Sequence, residues 1–309
     1  AGGPLVADAF AGDTTPPVLE DATLDMDAGV LELVFSEAVP VLTFVPERVQ
    51  LYGSACGSVW RYGLSGDAGV AGVAGVSEGG FVGAGVYVSS RVRVNVSESD
   101  LNEIRALAGV ARGVGSTFVG LGAGGVYDMS GNSAVALVEC GNGAVSVSEY
   151  EPDQTRPVLQ SFVLDMDAHQ LLLTFSETVN ATTFSLDHVS FDGDSSVDLS
   201  SSVVFPTGLL SATINISTAA VRALEAKPLL CNVLRPGSSC SLAVSAQFVE
   251  DGFGNAIVAE TVAASLVIAD VTPPGVVAFE LDMTLHKLVI TFSEVVQVSS
   301  ASPASLVLS

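Results

Sequence analysis

The chain has 309 residues, of which 49% are hydrophobic and 15% charged, with a mean hydropathy of +0.53. That apolar content excludes extended intrinsic disorder, while the most apolar runs, Leu229–Leu234 and Ala263–Ala269, are too short and interrupted to span a membrane as a helix. Thirty-four acidic against 11 basic residues give a formal charge of −23, which disfavours nucleic acid and anionic lipid and leaves divalent cations or basic surfaces as partners of matching charge.

In chain order, residues 1–12 come first. Their PLVADAF resembles SLVIADV further on and reads as the last strand of a preceding domain. A repeat then begins. DTTPPVLEDATLDMDAGVLELVFSEAV (Asp13–Val39) returns as DQTRPVLQSFVLDMDAHQLLLTFSETV (Asp153–Val179) and as DVTPPGVVAFELDMTLHKLVITFSEVV (Asp270–Val296). The second copy follows the first by 140 residues (Met26 to Met166), and the third follows by 117 (Met166 to Met283). Boundaries fall at residues 13–152, 153–269 and 270–309, the last holding only the start of a copy. Thr-Pro-Pro or Thr-Arg-Pro opens each unit and suits a linker entering an edge strand.

Val30–Phe35 and Leu171–Phe175 are short apolar runs bounded by turns, and they predict buried strands. The turn before each strand carries Gly29, His169 or His286 in register. Gly alternating with His marks a residue at positive φ, so these histidines read as turn residues rather than ligands or bases. Asn95 and Asn215 also align, at a spacing of 120 residues, so the first copy holds about 20 extra residues before Asn95. The Gly/Val/Ala-rich tract Gly63–Ser89 accounts for them as a longer hairpin or loop. Ser97-x-x-Asp100, followed by Leu101 and Ile104, predicts a capping box and a short helix, with VRAL (Val221–Leu224) as its counterpart. DMSGN (Asp128–Asn132) and DGFGN (Asp251–Asn255) are turns, each followed by a final strand near Ala134–Glu139 and Ala256–Val262. Many short strands per unit predict an all-β fold of tandem immunoglobulin-like sandwiches with one short helix per repeat.

The pattern D-x-T-x-P-x-L, L-D-M-D and L-x-L-x-F-S-E-x-V, closed by D-x-x-G-N, resembles the Ig-like repeats of large bacterial surface proteins. With the Ala/Gly/Val-rich character, the sequons and the cysteines, it is more similar still to mastigoneme proteins of green algal flagella. That resemblance implies a structural glycoprotein of an extracellular filament on the flagellar or cell surface. It further implies packing on copies of itself and on a Pro-rich core or membrane-anchored protein, with no direct membrane insertion and no nucleic acid partner. A calcium-dependent adhesin or ligand-binding surface module is the alternative, and a carbohydrate-active enzyme a weaker third.

Three sequons, at Asn95, Asn180 and Asn215, would carry N-linked glycans in a protein secreted by a eukaryote. The four cysteines favour an oxidising compartment. Cys231 and Cys240 suit a local disulfide, and Cys56 and Cys140 a longer one within the first repeat; cross-domain pairing and free thiols are the alternatives. Asp25/Asp27, Asp165/Asp167, Asp128 and Asp251 are hard oxygen donors for calcium, but no complete calcium loop motif is present and turn chemistry explains them better. No cofactor is implied. Glu37, Glu177 and Glu294 recur in Phe-Ser-Glu, which points to a structural role, and no catalytic fingerprint appears, so the chain does not read as an enzyme.

Overall fold

The computed structural model describes residues 11–72, 80–82, 86–141, 143–232, 234–302 and 305. The strand expected in residues 1–12 falls on residues 1–10, outside the described residues, as does much of the Gly-rich tract. The chain is all-β and forms two compact units, Ala1–Thr155 with Gly252–Asn255, and Arg156–Asp251 with Ala256–Ser309.

The first unit is built from β1 (Leu19–Asp25), β2 (Val30–Pro40), β3 (Val49–Tyr52), β4 (Arg61–Gly63), β5 (Gly69–Gly72), β6 (Gly80–Val82), β7 (Val86–Asn95), β8 (Phe118–Leu121), β9 (Val145–Ser146) and β10 (Glu149–Glu151), with α1 (Glu98–Ala106) after β7. One sheet has the order β10-β1-β2-β7-β5, with β6 also on β7; the other runs β4-β3-β8-β9. Period-2 alternation buries Leu24, Leu31, Leu33, Val92 and Val94 on one inner face, against Leu51, Val119 and Leu121 on the other. The Gly-rich tract lengthens a hairpin, because β6 pairs with the start of β7.

The second unit repeats the plan with β11 (Leu159–Asp165), β12 (Gln170–Phe175), β13 (Val189–Phe191), β14 (Val203–Gly208), β15 (Ser211–Asn215), α2 (Thr218–Glu225), β16 (Ser241–Val244), β17 (Glu260–Ala263) and β18 (Leu266–Ile268). Its sheets run β14-β15-β12-β11-β18 and β13-β16-β17. Phe162, Leu164, Leu171, Leu173, Phe175 and Ile214 face Phe191, Leu242 and Phe248 in its core. The third copy contributes a hairpin, β19 (Val276–Asp282) and β20 (Lys287–Phe292). Phe279 and Leu281 are exposed there, although the matching Phe162 and Leu164 are buried.

Three expectations change. The Pro-led strands β1 and β11 are interior, each antiparallel to its successor and parallel to the unit's last strand, β10 or β18. The final strand does not lie at Ala134–Glu139, which makes a single bridge, Leu137 to Leu121; Ala134 and Leu137 are buried as loop residues. In the second copy the expected stretch becomes a strand only from Glu260 (β17), and the last strand is β18. Ser97 does cap α1, accepting from the Asp100 amide at 3.1 Å, but Asp100 does not complete a capping box. Its carboxylate instead accepts from the Tyr62 hydroxyl (2.7 Å) and from the Ser65 hydroxyl (2.9 Å).

Candidate functional site

The turn chemistry holds. Gly29, His169 and His286 have φ of 66°, 56° and 51°. The carbonyls of Gly29 and His169 accept from the Val96 and Ile216 amides, so His169 serves the turn through its backbone as Gly29 does. Asp25 and Asp165 accept from the Ala28 and Ala168 amides within their own turns, each at 2.8 Å. Asp27 holds the linker that follows its own unit, accepting from the Gln154 amide (2.9 Å) and the Thr155 hydroxyl (3.0 Å). Asp167 does the same with the Val271 amide and the Thr272 hydroxyl. These hydrogen bonds hold both carboxyls below the usual carboxylate range, led by Gln154 for Asp27 and Val271 for Asp167.

A different set of acids converges. Oxygens of Asp13, Glu37 and Asp128 lie within 4.8 Å of one another, from the repeat's first residue, its Phe-Ser-Glu and its D-x-x-G-N turn. Burial, then the charges of Asp13 and Asp128, pushes Glu37 upward. Burial alone would raise Asp128 too, but hydrogen bonds from Asn132 and the turn amides outweigh it and hold the group low. Asn132 Nδ2 donates to Asp128 Oδ2 (2.6 Å) and to the Asp13 carbonyl (3.1 Å), tying the turn to the entering linker. Asn255 Nδ2 repeats the second contact, on the Asp153 carbonyl at 3.0 Å. Glu177 and Asp251 are buried.

Glu225, Asp270 and Glu294 form another cluster of the same dimensions. Oε1 of Glu225 and Oε1 of Glu294 are buried without a hydrogen-bond partner. Burial, then the neighbouring Asp270 and Glu225, raises the Glu294 carboxyl, with His169 opposing. Glu225 ends α2 where Arg105 closes α1 in the aligned first copy. Arg105 Nε sits 2.7 Å from Asp153 Oδ2, with both side chains buried. Both acidic clusters offer a hard cation the oxygens it prefers. The sequence singled out Glu37 and Glu294 only as structural; the signal for the clusters was the return of the same acidic positions in successive copies.

Asn95 and Asn215 end β7 and β15 as exposed residues. Asn180 is half-buried, and its Oδ1 accepts from the amide and hydroxyl of Thr182 (3.1 and 2.8 Å), folding that sequon into an Asx turn. Cys56 is joined to Cys140 and Cys231 to Cys240, with Cα atoms 4.5 and 4.3 Å apart. Among the described residues no helix is long and apolar enough to cross a membrane.

No protein-family model matches the chain, and no curated protein matches it. Among solved structures it is similar to the N-terminal part of the bacterial S-layer protein SbsC, at 11% identity and a TM-score of 0.25, over 82% of this chain and 45% of that one. A longer form of SbsC gives 11% identity and a TM-score of 0.25, over 86% of this chain and 27% of that one. The chain thus spans less than half the length of either, and a likeness this slight carries no inference to function.

Proposed function

We propose that the chain is a structural glycoprotein segment of an extracellular filament of the mastigoneme kind, on a cell or flagellar surface, and not an enzyme. The observation that carries this reading is the tandem array itself. Two sandwiches share the five-strand order of their larger sheet, one helix position and one linker clasp, and a third copy of the opening hairpin follows, which we take as the start of a further domain. Repetition of this kind builds length rather than a single reaction centre. Two disulfides suit an oxidising exterior. Self-association, and packing on a Pro-rich core protein, come from the sequence resemblance. Electron microscopy of native surface material labelled with an antibody to this chain should show fibres, and labelled monomers without fibres would overturn the reading.

A calcium-dependent surface module is the second reading, favoured by the buried, unpartnered oxygens of Glu225 and Glu294 beside Asp270. A melting temperature that does not move when calcium is replaced by a chelator removes it.

A further inference from the structure

We propose that the outer face of the β14-β15-β12-β11-β18 sheet is covered by an N-linked glycan on Asn215. The inference rests on the reading of a secreted glycoprotein. Register defines two adjoining rows across this face. The first runs Phe205, Thr213, Leu172, Val163, Leu266. The second runs Val203, Asn215, Gln170, Asp165, Ile268. Intervening residues such as Ile214, Leu171 and Leu164 point inward and are fully buried, so the two rows point outward.

Three residues of the first row are open to solvent: Phe205 at 46%, Leu172 at 39% and Leu266 at 53%. Val203 and Ile268 extend the apolar area into the second row, where Asp165 is the one charged residue. A contiguous apolar face of this kind is normally covered. Asn215 stands in the second row, exposed, between Val203 and Gln170, and opens the sequon Asn215-Ile216-Ser217. It lies about 7 Å along the strand from Thr213, and Phe205 and Leu172 are its diagonal neighbours. A pyranose ring has an apolar C–H face and a polar rim. Laid on Phe205 and Leu172, the first sugars would bury their apolar faces and keep their hydroxyls in water.

The first unit shows what the same position looks like without that need. Its matching outward rows hold Arg93, Glu32, Thr23 and Glu149, then Asn95, Val30, Asp25 and Glu151, and Arg91 Nη1 pairs with Glu32 at 2.7 Å. A glycan on Asn95 stands over a charged, wetted surface. A second copy of the chain is the competing occupant of the apolar face, and a sugar on Asn215 obstructs it.

The test uses the whole chain secreted from a glycosylating eukaryotic host. Glycopeptide mass spectrometry should find Asn215 occupied. Trimming the folded protein with an endoglycosidase should raise binding of an apolar dye several-fold and promote self-association. Asn95→Gln should do neither. Phe205→Ser with Leu172→Thr should abolish the response to trimming. A bare Asn215, trimming with no change in dye binding, or copies that cross-link through Thr213→Cys while Asn215 is bare would each overturn the proposal. These measurements are made on the isolated chain, so absence of native fibres would count against the filament reading and leave this one standing.

Discussion

The two sandwiches agree where side chains are buried and part where they are not. Leu24, Leu31 and Val94 in the first have Leu164, Leu171 and Ile214 as counterparts, all within the cores. One residue away on each strand, Thr23, Glu32 and Arg93 in the first unit correspond to Val163, Leu172 and Thr213 in the second. Burial fixes the inward set through packing density, while the outward set is free to be wet in one unit and apolar in the other. The helix ends diverge in the same way. Arg105 pairs with Asp153, whereas Glu225 adds a third carboxyl to Asp270 and Glu294.

The largest contrast is expected from exchanging the helix ends. Arg105→Glu leaves a buried carboxylate beside another and should cost about 3–5 kcal/mol of unfolding free energy. Glu225→Arg places a cation beside two carboxylates at a half-exposed site and should add no more than about 1 kcal/mol. Denaturant titration checks both, and losses of similar size would mean that the two helix ends do not differ in this way. The shared turn gives a smaller contrast. Gly29→Ala puts a Cβ 2.9 Å from Leu101 Cδ1 at φ 66°, a left-handed conformation that costs roughly 1–2 kcal/mol for a residue with a Cβ. His169→Ala already has that cost in the wild type and should leave the melting temperature nearly unchanged.

The smallest effect concerns pH. Glu294 has its folded pKa raised above 4.5, so its protonated form favours the fold. That contribution is complete below the unfolded value and is lost as pH rises through the folded one. Asp167 is lowered below 3.8, and its contribution is present above that value and lost as pH falls. Thermal melts across the acid range should therefore show Glu294→Gln gaining on the wild type as pH rises. Asp167→Asn should trail the wild type above pH 3.8 and draw level with it as pH falls through the lowered folded pKa. Parallel curves for the two variants would contradict the opposite assignments.

Much of this fold was legible in the sequence because its signals are local. Alternating apolar residues, the Gly29/His169/His286 position and the Ser97 cap each depend on neighbours within a turn or a strand. The acidic clusters were not legible, because Asp13, Glu37 and Asp128 meet only after the two sheets close. The wrongly placed final strand has a similar cause. Ala134 and Leu137 alternate as a strand would, yet they are buried as loop residues, with one bridge to β8. The apolar outer face was hidden by register. Phe205 sits in a strand containing Pro206 and a bulge before Gly208, so its orientation follows from pairing with β15 rather than from periodicity.

The parallel contact between the first and last strands of each unit bears on mechanics. In the first unit the chain enters through β1 and leaves through β10, and Thr23, Leu24 and Asp25 pair with Glu149, Tyr150 and Glu151. Tension applied at the two ends of such a unit acts along both strands, in opposite directions. The hydrogen bonds between them are then loaded together, in shear, rather than peeled apart one by one. Resistance to pulling is set by the rate of unfolding rather than by equilibrium stability, so this short parallel pair is where a stretched chain of this kind would first be held.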